Sequence, residues 1–266
     1  MKWLHLVTCI LFIGLAACGD NSPTVTPASV QKTSPTPTAV PTMSLTPTVA
    51  IPSSPLYQSV TLSYWVKNDG RITARVPALT GSFDLRVIKF NHEMYALTDE
   101  LIADFNGFQE EPVNPALPEG FLDVRFELVS PPGNIFSLKF TISTYMKGAA
   151  HPFDYTRTAT YDLEKGEDVT LEQLFLPGSD YLGTISAYCI SKLQASEIGP
   201  VLIAEGAQPD AKNYRNWNIT AHGLLITFDE YQVAAYAAGP QRVVVPYTEL
   251  QSIIDPQGPL VGVLSK

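Results

Sequence analysis

Positive charge is what this sequence has least of. Its 266 residues carry 17 Lys+Arg against 26 Asp+Glu, a net charge of −9, and the isoelectric point lies near 4.9. A chain so poor in basic groups cannot neutralise a phosphate backbone through a basic face, which excludes the nucleic-acid binders. Cysteine is scarce too, with three in all, Cys9, Cys18 and Cys189. The strong catalytic signatures are missing: there is no H-E-x-x-H, C-x-x-C, G-x-S-x-G, Walker loop or G-x-G-x-x-G. Beyond the leader the histidines are His92, His151 and His222, far apart and with only carboxylates at helical spacing beside them. Neither a zinc site nor any cofactor is expected. No repeat of solenoid length is present.

The start of the chain is a leader. Lys2 precedes an apolar run over residues 6–17 that ends in Leu15-Ala16-Ala17-Cys18. The run is too short for a spanning helix and reads as an export signal. Small residues immediately before a cysteine resemble a bacterial lipobox. Residues 1–17 are then a signal peptide, and Cys18 carries lipid that anchors the protein to the membrane on its extracytoplasmic face. Cys9 leaves with the signal and Cys18 is used by the lipid, so Cys189 is alone and no intrachain disulfide is expected.

Residues 18–55 read as a tether. From Gly19 to Pro55 there are 37 residues, 8 of them Pro and 14 Ser or Thr, with only Asp20 and Lys32 charged. Such a segment cannot bury enough apolar surface to offset its chain entropy. As a loose coil it spans roughly 35 Å, and as extended polyproline at most about 115 Å. The remaining residues, 56–266, hold 15 Lys+Arg and 25 Asp+Glu, a net charge of −10. The head is therefore more acidic than the chain average.

In that head, strand-like runs at residues 59–66 and 71–76 flank Asp69-Gly70, a strong hairpin signal. A strand is expected at residues 83–90, followed by a helix that carries Met94, Leu97, Leu101 and Phe105 on one stripe. Asn91 would cap its start and Gly107 follow its end. Alternation over residues 122–128 and 136–143 around Ser130-Pro131-Pro132-Gly133-Asn134 predicts an antiparallel hairpin with one buried face per strand. A third strand is expected at residues 155–161. Thr170 and Gln173 have capping-box spacing before a helix that buries Leu182, Ile185, Cys189 and Leu193. Further strands at residues 217–220, 224–228 and 243–245 precede a terminal helix over residues 247–254, which Pro246 can start. The class is α+β: an antiparallel sheet with helices packed on one face, in two subdomains (56–144 and 145–266) of one unit.

Candidate chemistry is sparse. Cys189 falls in an apolar stripe and reads as an inert buried thiol. The doublets Asp99-Glu100, Glu110-Glu111, Glu167-Asp168 and Asp229-Glu230 read as solvated surface, since adjacent strand residues point to opposite faces. His151 stands out because Gly148-Ala149-Ala150-His151-Pro152 is a small-residue loop that a partner can approach closely. Its imidazole either orients the loop or touches a ligand. Tyr231 and Tyr236 stand among small residues and form either a recognition surface or half-buried rings.

Four ordered motifs carry a family resemblance: the Gly-Ala-Ala-His-Pro loop at 148–152, the Y-D-L-x-K-G-x-x-V-T-L-x-x-L-F stretch at 161–175, the F-D-x-Y-x-V-A-x-Y-A-x-G run at 228–239 and V-P-Y-T-E-L at 245–250. Together they resemble the extracytoplasmic, lysozyme-binding domain of the RsiV anti-sigma factors, a domain also found beside polysaccharide deacetylase domains that modify peptidoglycan. The resemblance implies an α+β domain that works outside the cell. Neither a sigma-binding segment nor deacetylase residues accompany the motifs, so the expected role is binding. The partner is a cell-wall component such as peptidoglycan or a cationic, lysozyme-like protein, with His151, Tyr231, Tyr236 and Asp229 as contacts. The alternatives are a glycan-modifying enzyme using His151 with Asp154 or Asp229, an accessory domain, or a structural envelope lipoprotein.

Overall fold

Asn68-Asp69-Gly70 reverses the chain as its composition predicts. The Asp69 carboxylate accepts the Arg71 and Ile72 N–H groups at 3.1 and 2.8 Å, while Gly70 takes φ +91°, which a side chain would resist. The computed structural model describes residues 55–108 and 119–264; the leader, Cys18, all of the tether but Pro55, and Glu110-Glu111 lie outside them. The turn joins β1 (Thr61–Asn68) to β2 (Ile72–Thr80) in an antiparallel pair.

After β2 comes one helix, α1 (Leu85–Phe108), where a strand and a shorter helix are expected. The alternation of Phe83, Leu85 and Val87 imitates a strand, yet Phe83 and Leu85 stay 97% and 80% exposed. Burial follows the helical period instead, through Val87, Phe90, Met94, Leu101 and Phe105. Asp84 holds the start of the helix: its carboxylate accepts the Arg86 backbone N–H at 2.9 Å and pairs with the Arg86 guanidinium at 2.8 Å. Those bonds lower its carboxyl to about 2. Asn91 is no cap; its amide exchanges two hydrogen bonds with the Leu79 backbone, at 2.7 and 2.9 Å, and pins the helix to β2. Gly107 lies within the last turn.

The strands β3 (Phe121–Leu128), β4 (Ile135–Tyr145), β5 (Phe153–Asp162) and β6 (Glu167–Asp168) complete a six-stranded sheet in chain order. Every pair is antiparallel except β2–β3, which is parallel because α1 carries the chain across. The pairing of β4 with β5 runs from Ile135↔Asp162 to Thr144↔Phe153, so the sheet continues through residues 144 and 145.

The expectation of one buried face per strand fails for β4. Phe136, Leu138, Phe140 and Ile142 join the α1 core, and Ser137 and Lys139 on the opposite face are buried as well. A second, three-stranded antiparallel sheet, β7 (Trp217–Ile219), β8 (Gly223–Phe228) and β9 (Gln241–Pro246), covers that face. The seam is polar. The Ser137 hydroxyl meets Thr160 Oγ1 at 2.9 Å and accepts from Asn218 Nδ2 at 2.9 Å and the Ile219 N–H at 3.1 Å.

The second sheet has its own core. It packs with α2 (Tyr181–Gln194), whose start Asp180 caps by accepting the Gly183 N–H at 3.0 Å. The capping-box bond does form, from the Thr170 N–H to Gln173 Oε1 at 2.7 Å, but it serves a single turn at Glu172–Leu174. Ile185, Cys189 and Leu193 are buried as expected, and burial pushes the Cys189 thiol up to about 12. The terminal helix stops at α3 (Tyr247–Leu250), because the chain turns there to lay Ile254 beside Phe175 and bond the Leu176 N–H to Ile253 O at 2.8 Å. No helix among the described residues is long and apolar enough to cross a membrane.

Candidate functional site

The partner strand β6 covers only Tyr161 and Asp162 of β5. The rest of that edge would present open backbone groups. A buried carboxylate closes it: Asp229, at the end of β8, accepts the Thr156 N–H on Oδ1 at 2.8 Å. Its Oδ2 accepts from Asn216 Nδ2 at 2.9 Å and Arg215 Nη2 at 3.3 Å. The Thr158 hydroxyl adds a bond to Arg215 O at 3.2 Å. Asp229 thus lines the neighbouring cleft while both of its oxygens are taken by the protein.

That cleft, of about 470 Å³, opens between the end of α1, strand β5 and the turn after β8. Alternating residues of β5 supply one wall. Phe153 and Tyr155 stack with ring centres 5.7 Å apart, and the Arg157 guanidinium lies 5.3 Å over the Tyr155 ring. Burial raises the Tyr155 phenol above its ordinary value. Asp154, which bonds the Ser143 hydroxyl across the strand pair, Arg215 and Glu230 add polar groups, and Phe108 and Tyr231 supply exposed rings. Glu230 Oε2 is buried without a hydrogen-bond partner.

On the rim the three aromatic residues singled out in the sequence come together. Tyr231 stacks on Tyr236 at 5.7 Å, and Tyr236 lies 4.3 Å from the His151 ring. The Tyr236 hydroxyl donates to Pro152 O at 3.2 Å, and His151 Nδ1 bonds the same carbonyl at 2.8 Å. Because a carbonyl only accepts, Nδ1 holds the proton in that bond. Tyr231 is the sole non-glycine residue with positive φ (+64°) among those described, and it is 59% exposed. A bulky residue held in that region is strained, and strain of this kind gathers at binding sites.

No hydrogen bond or ion pair among the described residues joins His151 to Asp154 or Asp229. His151 bonds its own loop, Asp154 bonds Ser143 and Asp229 bonds Thr156, Asn216 and Arg215. No cluster of three or more His, Cys, Asp or Glu that could hold a metal ion occurs among the described residues. His92 and His222, on α1 and in the β7–β8 turn, are not among the residues that line the cleft. The sequence reading missed Phe153, Tyr155 and Arg157, although their i, i+2, i+4 spacing on a strand was the signal that they share a face.

Residues 172–248 match a family model described as "Protein of unknown function (DUF3298)". The match contains the 228–239 run and reaches into the motifs on either side of it. A DUF3298 family member from Bacteroides fragilis, of known crystal structure, superposes with a TM-score of 0.58 over 78% of this chain and 96% of that one, at 13% identity. That likeness shows the α+β fold. The chain is also 26% identical over 139 residues to the peptidoglycan-N-acetylmuramic acid deacetylase PdaC of Bacillus subtilis, covering 51% of this chain and 30% of that protein. The immunogenic protein MPT64 of Mycobacterium tuberculosis is 26% identical over 107 residues, covering 40% of this chain and 47% of that protein. The chain thus spans less than half the length of the curated relatives it matches.

Proposed function

We propose that this protein is an outward-facing envelope lipoprotein, anchored through Cys18, whose folded part binds cell-wall glycan in the cleft without turning it over. The observation that carries the reading is the wall built from Phe153, Tyr155 and Arg157, in a cleft that Tyr231 also lines. Sugar rings present apolar faces and polar edges; stacked rings with carboxylate and guanidinium groups between them match both. The partial similarity to a protein named for its action on peptidoglycan agrees with this ligand class. Binding is favoured over turnover because His151, Asp154 and Asp229, the groups considered as acid and base, each serve a protein partner.

Co-sedimentation of the purified protein with peptidoglycan tests it. We expect retention, reduced about tenfold in affinity by Tyr231→Ala together with Phe153→Ala; a protein that never sediments sinks the proposal. A second reading, recognition of a cationic, lysozyme-like protein, draws on the net charge of −10 over residues 56–266 and on the exposed rim of His151, Tyr236 and Tyr231. It predicts binding to lysozyme that weakens steeply with added salt, whereas stacking on sugar does not.

A further inference from the structure

The two edges of the six-stranded sheet are managed differently. At one end β6 and Asp229 close the backbone of β5. At the other end β1 is the last strand, and among the described residues no strand pairs with its outer side. Which of its groups face outward follows from the turn. The Asp69 N–H donates to Ile72 O at 3.2 Å, so residues 69 and 72 form a bonded pair. Counting back along the register, Lys67, Trp65, Ser63 and Thr61 direct their N–H and C=O groups toward β2, and Leu62, Tyr64, Val66 and Asn68 direct theirs outward. Pro77, opposite Tyr64, has no N–H to give, which agrees with that count.

Exposed edges are ordinarily blunted by a proline, a bulge, a short strand or a protruding charge. Strand β1 has none of these. It is eight residues long, contains no proline and keeps an uninterrupted register. Its one charge, Lys67, is drawn inward to Asp99 and lies 3.7 Å over the Tyr95 ring of α1. What it presents instead is Tyr64, Trp65 and Val66, which are 51%, 50% and 56% exposed. Open backbone groups at alternate residues fit another β-strand, and β1 is complementary to itself. In an antiparallel, two-fold pairing centred on Trp65, outward residues meet outward residues. Tyr64 then lies opposite the partner's Val66, Trp65 opposite its own counterpart and Lys67 opposite the partner's Ser63, so no like charges face each other. The part-exposed rings of Tyr64, Trp65 and Tyr95, with Val66 and the strand edge, bring the area buried by the pair to on the order of 1,000 Å², the lower bound for a specific interface. We propose that two copies of this protein pair through β1, joining their sheets into one continuous sheet in a weak, concentration-dependent dimer. None of β1 lines the cleft, so the proposal is independent of glycan binding.

Sedimentation velocity of the purified protein, from about 1 to about 100 μM, tests it. A dimer fraction that rises over that range is expected. Trp65→Lys, which sets two ammonium groups opposite each other, is expected to weaken the dimer at least about tenfold. Trp65→Cys gives a readout that does not depend on charge and keeps the inference testable should Trp65→Lys fail to fold. Opposite residues of a non-bonded pair lie about 4.5 Å apart at Cα, within disulfide reach. That variant is therefore expected to form a covalent dimer on air oxidation about tenfold faster than Val66→Cys, whose two thiols would be offset along the strands. A protein that stays monomeric throughout the range overturns the inference, as does a dimer that Trp65→Lys leaves intact. Equal cross-linking of the two cysteine variants overturns the pairing centred on Trp65. A monomer that instead takes up an extended peptide of unrelated sequence along β1 assigns the edge to another partner and overturns pairing with a second copy.

Discussion

Asp229 and Glu230 are neighbours in sequence and line the same cleft, yet they do opposite things. Asp229 is 7% exposed and its two oxygens receive a backbone N–H, an amide and a guanidinium, so its charge is spent on closing the β5 edge. Glu230 leaves a buried oxygen, Oε2, without a hydrogen-bond partner. One carboxylate is held by the architecture, and the other keeps an oxygen that no protein group uses. Residue type and position along the chain do not separate these roles. The separation comes from what other segments bring within hydrogen-bond reach.

The sharpest way to break this comparison is to remove both side chains in turn. Asp229→Ala leaves the Thr156 N–H and the Asn216 amide buried without an acceptor, and a loss of about 3 kcal/mol in urea unfolding is expected. Glu230→Gln is expected to cost less than about 0.5 kcal/mol in the same measurement. Equal losses would show that both carboxylates are structural.

A smaller effect should appear at Tyr231, where binding and stability are expected to part. Glycine accepts φ +64° freely, so Tyr231→Gly relieves strain and raises stability by up to about 1 kcal/mol, while peptidoglycan retention falls. A thermal midpoint that drops with retention would assign the ring to packing.

The smallest effect concerns Glu93. Burial first, and then the negative charge of Asp168, raise its carboxyl above the ordinary value of 4.5. A raised carboxyl favours the protonated form in the fold. Its contribution is therefore complete below pH 4.5 and is lost as pH climbs through the raised value. Glu93→Gln, neutral at every pH, should match the wild type in thermal midpoint in acid and exceed it slightly at neutral pH. An equal offset at both pH values would remove the burial of this charge from the account.

Much of the fold was legible because it is locally encoded. Asp69-Gly70 and the alternation in β3 and β4 marked their hairpins. The stripe of Ile185, Cys189 and Leu193 marked α2, and the stripe from Met94 to Phe105 marked the second half of α1. The start of α1 was misread because Phe83, Leu85 and Val87 alternate like a strand while only Val87 is buried. The second buried face of β4 was hidden because its residues are Ser137 and Lys139, polar types that reach burial through partners on β5, β3 and β7. At the candidate site, His151, Tyr231 and Tyr236 could be picked out as aromatic residues in small-residue loops. Their stacking could not be, since His151 and Tyr236 belong to loops joined across the fold.

Composition and pattern were thus sufficient for an acidic α+β head, its turns and the inward faces of its helices, because those depend on backbone preferences and on periods of two or 3.6 residues. The plugging of the β5 edge by Asp229 and the ladder of three rings arose only with packing. Each needs groups from distant parts of the chain to meet at 3 to 6 Å, and at that range hydrogen bonds and ring contacts depend on tertiary geometry that no local pattern carries.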